Sequence, residues 1–424
     1  MSTAPPDQRD DTLFALLDLI RAGEGRTRPE LVRHTGLGRK LVTQRVERLI
    51  ELGLVGDGDL GRSTGGRAPR ELFFRADGGH LLVAELGATS ISLGITDLVG
   101  RLLHEHQEPA EVVNQPDRTL DRVEQLFDEL LGRRPAGSPP VWGVGVGVLG
   151  PVDVTTGRPL ALPVMRRWAD YPVRDRLAAR YDVPVWVDNE VNLMALGELR
   201  GGLGRGVRDF VFVKVGTGIA AGLVSGGELL RGAHGMAGEI GHLVVVEDDD
   251  ALCWCGNTGC LVQHASGLGL ATFGRAAAEE GRSPVLARLL AAGHDVTAAD
   301  VAAAAATGDP ASVAMLTRAG QLIGRALASL ASTLNPSLIL VGGGLAGAGD
   351  ILLAAIRQSV YQRTFPIATR DLQVAFSPLS DRAGLVGASF MVSDELLSQK
   401  RLGRWIAHGT PAGRAALVHE DPAA

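Results

Sequence analysis

The chain has 424 residues, 45% of them apolar, 4% aromatic and 21% charged, with a formal net charge of −6. That apolar content excludes a disordered chain and suffices for the cores of two or three domains. No run of about 18 uninterrupted apolar residues is present to span a bilayer. The opening MSTAPPDQRDD lacks the basic and apolar regions of a secretory signal, so a soluble, cytoplasmic protein is expected.

All three cysteines (Cys253, Cys255 and Cys260) fall within eight residues, which is no disulfide framework. Lysine is equally scarce: Lys40, Lys214 and Lys400 stand beside 39 arginines. Such a skew reads as compositional bias, so a single surface arginine carries little functional weight. Charge is also unevenly placed, with residues 26–75 netting +5 and the remainder −11. A small basic module on a larger acidic body fits a chain of which one part meets a polyanion.

In chain order, TLFALLDLIR (12–21) has helical spacing, and Gly23 and Gly25 break it. Thr27 and Glu30 form a candidate capping box for a second helix through PELVRHT, with Pro29 in its first turn. After Gly36-Leu37-Gly38 a third helix starts near Arg39. Val42, Val46, Leu49 and Ile50 make its apolar stripe, and Arg39, Lys40, Thr43, Gln44 and Arg45 its polar face. Two helices, a glycine-containing turn and a third helix with a basic first half match a helix-turn-helix. The segment GDGDLGRSTGGRAPRELFF then predicts a hairpin wing with Arg67 at its tip. Arg and Lys on such a helix reach guanine edges or phosphates, and Gln pairs with adenine. The competing interpretation is a three-helix protein-interaction module with solvated charges; the wing favours DNA.

From residue 78 the pattern becomes α/β. HLLVAELGATSISLGITDLVG is strand, turn and strand around Gly87-Ala88-Thr89, and VWGVGVGVLGPVD is a further strand ending in a Gly-Pro turn. DVPVWVDNE delivers Asp188, Asn189 and Glu190 at a strand end, with a helix from Asn192. DFVFVKVGTGIAAGLVSGGELLRG repeats the hairpin, with Gly216-Thr217-Gly218 at its turn, and LNPSLILVGGG runs a strand into Gly342, Gly343 and Gly344. One glycine turn alone is weak evidence for phosphate binding, but this order suggests a duplicated α/β nucleotide-binding architecture.

These segments together resemble the ROK family (repressors, uncharacterised frames and sugar kinases). The resemblance rests on GATSISLGITDLVG, GPVD, VWVDNEVNLMALGE, VGTGIAAGLVSGGELLRGAHGMAGEIGHLVV, CWCGNTGC and LILVGGG in family order. It implies an actin-like, hexokinase-like two-lobed α/β body behind an N-terminal winged helix-turn-helix. Expected boundaries are 1–77 for the winged helix, 78–198 for the first lobe with 385–405 packing back on it, 199–384 for the second lobe, and 406–424 for a tail.

Cys253, Cys255 and Cys260 (C-x-C-x₄-C) with His242 eleven positions upstream suit a closed tetrahedral, structural Zn²⁺ site. Three reduced structural cysteines are the alternative. By the resemblance His242 is the fourth ligand and its ring also faces the sugar pocket. Asp248 to Asp250 read as a solvated turn, since thiolate and imidazole suit zinc better than carboxylate.

In ROK kinases the catalytic base is the Asp of an Asn-Asp pair, which aligns with Asn189-Glu190 here. The base position therefore holds Glu190, one methylene too long, and no catalytic residue is assigned; a misplacement of about 1 Å costs roughly a hundredfold. The first phosphate loop reads Glu85, Gly87, Ala88, Thr89 and Ser90, the second has Ala220 where glycine is usual, and Val262 replaces a sugar-binding Glu. Gly87, Thr89, Gly216, Thr217, Gly218 and Gly343 are thus expected as vestigial phosphate loops. Asn189, Glu190, Glu239 and His242 remain as a sugar-binding set. The reading is a DNA-binding regulator, with kinase chemistry expected to be lost, that partners with a pseudo-palindromic duplex, a sugar effector and itself as dimer or tetramer. An ATP-dependent sugar kinase carrying a DNA-binding module, and a ligand-independent DNA-binding dimer, are the alternatives.

Overall fold

The computed structural model describes residues 6–60 and 70–419. Three helices open it: α1 (Pro6–Ala22), α2 (Arg28–Thr35) and α3 (Arg39–Glu51), followed by the antiparallel pair β1 (Val55–Leu60) and β2 (Arg70–Phe74). Helix α1 starts six residues before the apolar spacing does. The Thr27 hydroxyl accepts from the Glu30 amide at 3.3 Å, while the Glu30 carboxylate reaches back to the Arg26 amide at 2.9 Å. Gly36, at φ +69°, closes α2 in the left-handed conformation that glycine adopts without strain.

The first lobe holds β3 (His80–Leu86), β4 (Ser90–Thr96), β5 (Leu102–Pro109), α4 (Pro116–Gly132), β6 (Val141–Val148), the short hairpin β7 (Val152–Asp153) and β8 (Arg158–Pro159), α5 (Val173–Tyr181) and β9 (Val185–Asn189). Its sheet runs β5-β4-β3-β6-β9. Helix α6 (Glu190–Gly201) leads to the second lobe, with β10 (Phe210–Val215), β11 (Ile219–Ser225), β12 (Glu228–Leu229), α7 (Leu261–Ala265), α8 (Gly267–Glu279), α9 (Pro284–Ala291), α10 (Ala298–Ala306), α11 (Pro310–Leu334), β13 (Leu338–Gly342), α12 (Asp350–Arg363) and β14 (Gln373–Phe376). The second sheet runs β12-β11-β10-β13-β14, the same order with the same mix of antiparallel and parallel neighbours. Helices α13 (Ala383–Leu396), α14 (Gln399–Trp405) and α15 (Ala415–His419) complete the chain.

Two contacts position the cleft between the sheets. Helix α6 packs on strands of both lobes, and α13 crosses it so closely that a Cβ at Gly387 would lie 1.7 Å from the Leu193 carbonyl and one at Gly197 2.0 Å from that of Ala383. The N-terminal helices also share one continuous core with the body. Leu16, Leu17, Leu31 and Leu49 are fully buried in the same cluster as Trp142, Leu402 and Trp405. Each such side chain contributes about 2 kcal/mol by leaving water, so this junction is a packed interface rather than a flexible tether.

Candidate functional site

The strand β9 ends at Asn189 because its side chain turns to cap the following helix, Oδ1 accepting from the Val191 amide at 3.0 Å. Asp188, nearly fully buried, fixes that junction: Oδ1 accepts from the Asn189 amide at 2.7 Å and Asn192 Nδ2 at 3.0 Å, and Oδ2 from Arg231 at 2.9 Å. Glu190 is the first helical residue of α6 rather than a strand end, which puts its carboxylate at the positive end of the helix and inside the cleft.

Opposite it stands a residue for which sequence reading assigned no role. Along β10 the alternation places Phe210, Phe212 and Lys214 on one face, against the inter-lobe cluster that also contains Val191 and Met194. Lys214 Nζ lies 2.6 Å from Glu190 Oε1, an ion pair between the lobes with side-chain exposures of 17% and 5%. Burial works against the ammonium, yet Glu190 and Glu85 outweigh it and hold Lys214 above its ordinary value. Glu85, at the equivalent strand of the first lobe, is pushed up to about 8, by burial first, with Lys214 opposing and Glu190 reinforcing. Burial, aided by the charge on Glu190, also raises Glu239 to about 6.

The cleft of about 600 Å³ brings together Asn189, Glu190, Glu239 and His242 with both glycine turns. Gly87 donates to the Ser90 carbonyl at 3.0 Å and Gly216 to that of Gly218 at 2.9 Å, so both turns are closed on themselves. Thr89, Thr217, Gly218 and Gly343 line the same space. Gly343, at φ +87°, lies so near β10 that a Cβ would stand 2.7 Å from the Val215 carbonyl. The Lys214–Glu190 pair spans these turns: Lys214 Cε is 3.6 Å from a Cβ built on Gly216, and Glu190 Oε2 is 3.6 Å from one built on Gly87. Ser90, Ala220 and Val262, the departures from the kinase pattern, also line the cleft.

The His242, Cys253, Cys255 and Cys260 ligand atoms lie within 4.8 Å of one another. Cys253 Sγ to His242 Nδ1 and Cys255 Sγ to Cys260 Sγ are both 3.6 Å, close to the edges of a tetrahedron with bonds of about 2.0–2.3 Å. The donor set therefore fits a metal ion. Gly259 (φ +68°) allows the loop to close, since a Cβ there would lie 1.8 Å from the Val246 carbonyl. Trp254 meets the His242 ring edge-on at 4.2 Å, and both line the cleft, so the cluster forms part of its wall. The expected solvated turn at 248–250 is corrected at Asp249, whose Oδ2 lies 2.8 Å from His264 Nε2 and accepts from the Gly259 amide at 3.2 Å. These contacts brace the cysteine-bearing loop.

On α3, Arg39, Lys40 and Gln44 are exposed and Thr43 is half-buried, while Val42, Val46 and Leu49 are buried. Arg45 differs from its neighbours: its Nε donates to Thr12 of α1 at 3.1 Å. Arg67 lies outside the described residues.

Two sheets of the same order enclosing a cleft define a two-lobed, actin-like and hexokinase-like body. A model of the ROK family matches residues 82–395, and the chain belongs to that family. It is similar to the xylose repressor of Caldicellulosiruptor bescii, 28% identical over 374 residues, 88% of this chain and 92% of that one. It is also similar to a glucokinase of Halalkalibacterium halodurans, 31% identical over 317 residues, 75% of this chain and 96% of the kinase. The crystal structure of a ROK family transcriptional regulator, a homolog of the E. coli MLC protein, matches with a TM-score of 0.78 at 25% identity, covering 92% of this chain and 98% of that one. The repressor and regulator thus match more of the chain than the kinase does. Among the described residues no helix is long and apolar enough to cross a membrane.

Proposed function

We propose that the protein is a sequence-specific DNA-binding transcriptional repressor, controlled by a sugar or sugar derivative between the lobes and devoid of kinase activity. The observation that carries this reading is the Lys214–Glu190 pair. A sugar kinase needs a free carboxylate to take the hydroxyl proton and a charged cradle for the transferred phosphoryl group. Here the carboxylate at the base position is tied to an ammonium 2.6 Å away, and that ammonium offers a phosphate little uncompensated charge. Asn189, Glu239 and His242 leave amide, carboxylate and imidazole for vicinal sugar hydroxyls.

In this reading residues 1–77 form the DNA-binding domain, 78–198 with 385–405 the first lobe, 199–384 the second, and 406–424 a tail in a cytoplasmic protein. Arg39, Lys40, Thr43 and Gln44 face the major groove, and Arg67 is available to the backbone or minor groove. Arg45 serves mainly to brace α1 against α3. Zinc on His242, Cys253, Cys255 and Cys260 supplies rigidity, since four protein ligands leave no open position. Two copies in a dimer or tetramer meet a pseudo-palindromic operator. Helix α6 connects cleft to DNA module: it starts at Glu190, and near its end Arg200 bonds Asp394 at 2.6 Å, which also pairs with Arg21 of α1 at 2.9 Å.

The test is fluorescence anisotropy of the full-length protein on duplex from its own upstream region and on scrambled duplex, across salt. We expect tight selective binding with a log–log salt slope of several units, released by one member of a pentose and hexose panel. The kinase reading has a footing in the glucokinase similarity and the two retained glycine turns. ATP-dependent phosphorylation of a sugar from that panel, together with equal weak binding to duplexes from a genome-wide site search and to scrambled DNA, would overturn the proposal. Selective DNA binding that no sugar alters, with no sugar-dependent thermal stabilisation, would reduce the protein to a ligand-independent binder; a sugar at 100 times its Kd adds about 2.7 kcal/mol to folding.

A further inference from the structure

We infer that the ligand of the inter-lobe cleft is a protonated amino sugar, with its ammonium group beside Glu239 and its hydroxyls on Asn189 and His242. The inference rests on the sugar-effector reading above and names the chemical class of that effector. Glu85, Glu190, Glu239 and Asp381 all line the cleft, and Lys214 is the one lysine or arginine that joins them among the described residues. Arginine supplies 39 of the 42 basic residues of the chain, yet no described arginine reaches this space. Lys214 is already committed to Glu190 at 2.6 Å, while Glu85, Glu239 and Asp381 form no ion pair among the described residues. Glu85, raised to about 8 chiefly by burial, keeps its proton near neutrality. The field in the cleft therefore comes from Glu190, Glu239 and Asp381 against a single ammonium, and it favours a cation.

Unpartnered oxygens in the wall show that a donor is wanted. Glu190 is 4% exposed, and its Oε2 is buried without a hydrogen-bond partner, 3.6 Å from a Cβ built on Gly87. Glu85 Oε2 is likewise buried and unpartnered. A buried carboxylate oxygen without a donor is costly, and an ammonium supplies several donors. Sugar hydroxyls donate too, but a hydrogen bond between charged partners is roughly twice as strong as a neutral one. Attraction to the other carboxylates adds to it in a cavity shielded from water.

The wall that holds Glu239 suits the rest of such a ligand. Glu239 and His242 stand at the two ends of one tight turn, the His242 amide donating to the Glu239 carbonyl at 3.3 Å. Trp254, 38% exposed, meets the His242 ring edge-on and lines the cleft beside it. An indole attracts an ammonium and also covers the apolar face of a sugar ring. On the first lobe, Asn189 Oδ1 is occupied by the Val191 amide, which leaves Nδ2 to donate to a hydroxyl. The same field repels a sugar phosphate or a uronate.

The experiment measures Kd by calorimetry on the full-length protein at constant ionic strength and about pH 7, where such an amine is protonated. The ligands are glucosamine, galactosamine and mannosamine, their N-acetyl forms, the parent hexoses, and glucosamine 6-phosphate. One amino sugar should bind at least about tenfold tighter than both its N-acetyl form and its parent hexose, the margin of a charge-assisted over a neutral hydrogen bond. Phosphorylation should weaken binding. Glu239→Gln should erase most of that margin, and Asp381→Asn, at an exposed position where folding is not in question, should narrow it. A neutral sugar that binds as tightly as its amino form would overturn the amino-sugar assignment and leave the sugar-effector reading standing. An unchanged margin in both variants would overturn the role of the carboxylates, and binding of no sugar at all would overturn this inference and the sugar-effector reading together.

Discussion

At Glu190 the replacement of Asp by Glu changes reach as well as length: the longer side chain extends to Lys214 across the cleft and forms a pair at 2.6 Å. Breaking a buried pair strands a charge, so Lys214→Met should cost about 3–5 kcal/mol in urea unfolding, and Glu190→Gln a comparable amount. The double variant should recover much of that loss, and strictly additive costs would show that the two do not interact. Glu85 gives a pH signature. Its folded value near 8 stands above the ordinary carboxylate value, so the folded chain keeps a proton that the unfolded chain releases. The resulting stabilisation is complete below about pH 4.5 and fades as pH rises toward 8. The stability difference between wild type and Glu85→Gln should therefore fall across that window, by up to about 1.36 kcal/mol per pH unit. A flat difference would mean that Glu85 titrates normally.

At the scale of elements, the metal loop and α3 separate what a motif announces from what it does. The cysteine spacing was legible because Cys253, Cys255 and Cys260 lie within eight residues. The bracing of that loop by Asp249 was not, since His264 is 15 positions away. Elemental analysis should find one zinc per chain, and Cys255→Ser should lose it along with a substantial part of the thermal midpoint. Retention of the metal in that variant would point to another ligand set. On α3 the apolar stripe is visible in the sequence, but the bond from Arg45 Nε to Thr12 of α1 is not. Lys40→Ala should reduce the salt slope of DNA binding by about 1 with little change in stability. Arg45→Ala should lower the unfolding midpoint instead. The reverse result would exchange their roles.

For the whole molecule, the shared core at the N-terminal junction means that the three helices do not swing freely on the body. A signal from the cleft then has rigid elements to move through. Asp394 is the place where α6 and α1 meet, through Arg200 and Arg21. Asp394→Ala should leave DNA affinity and sugar affinity each close to wild type while shrinking the effect of one on the other, a coupling of about 1–3 kcal/mol in such proteins. Measuring DNA affinity with and without saturating sugar checks this, and an unchanged ratio would place the coupling elsewhere.

The sequence by itself determined the repeated hairpin-and-strand pattern, the Thr27 cap of α2, the cysteine-rich loop and the family, because those signals are local: periodicity, capping chemistry and glycine turns operate within a few residues. It also displayed Lys214, one of only three lysines, without saying what it meets. Only the tertiary structure decided that Lys214 faces Glu190, 24 positions earlier and on the other lobe, and that Glu85, Glu239 and Asp381 share their cleft. Charges act through space, and which of them become neighbours depends on how two sheets and two crossing helices pack, information carried by the summed burial of hundreds of side chains and by no short stretch of the chain.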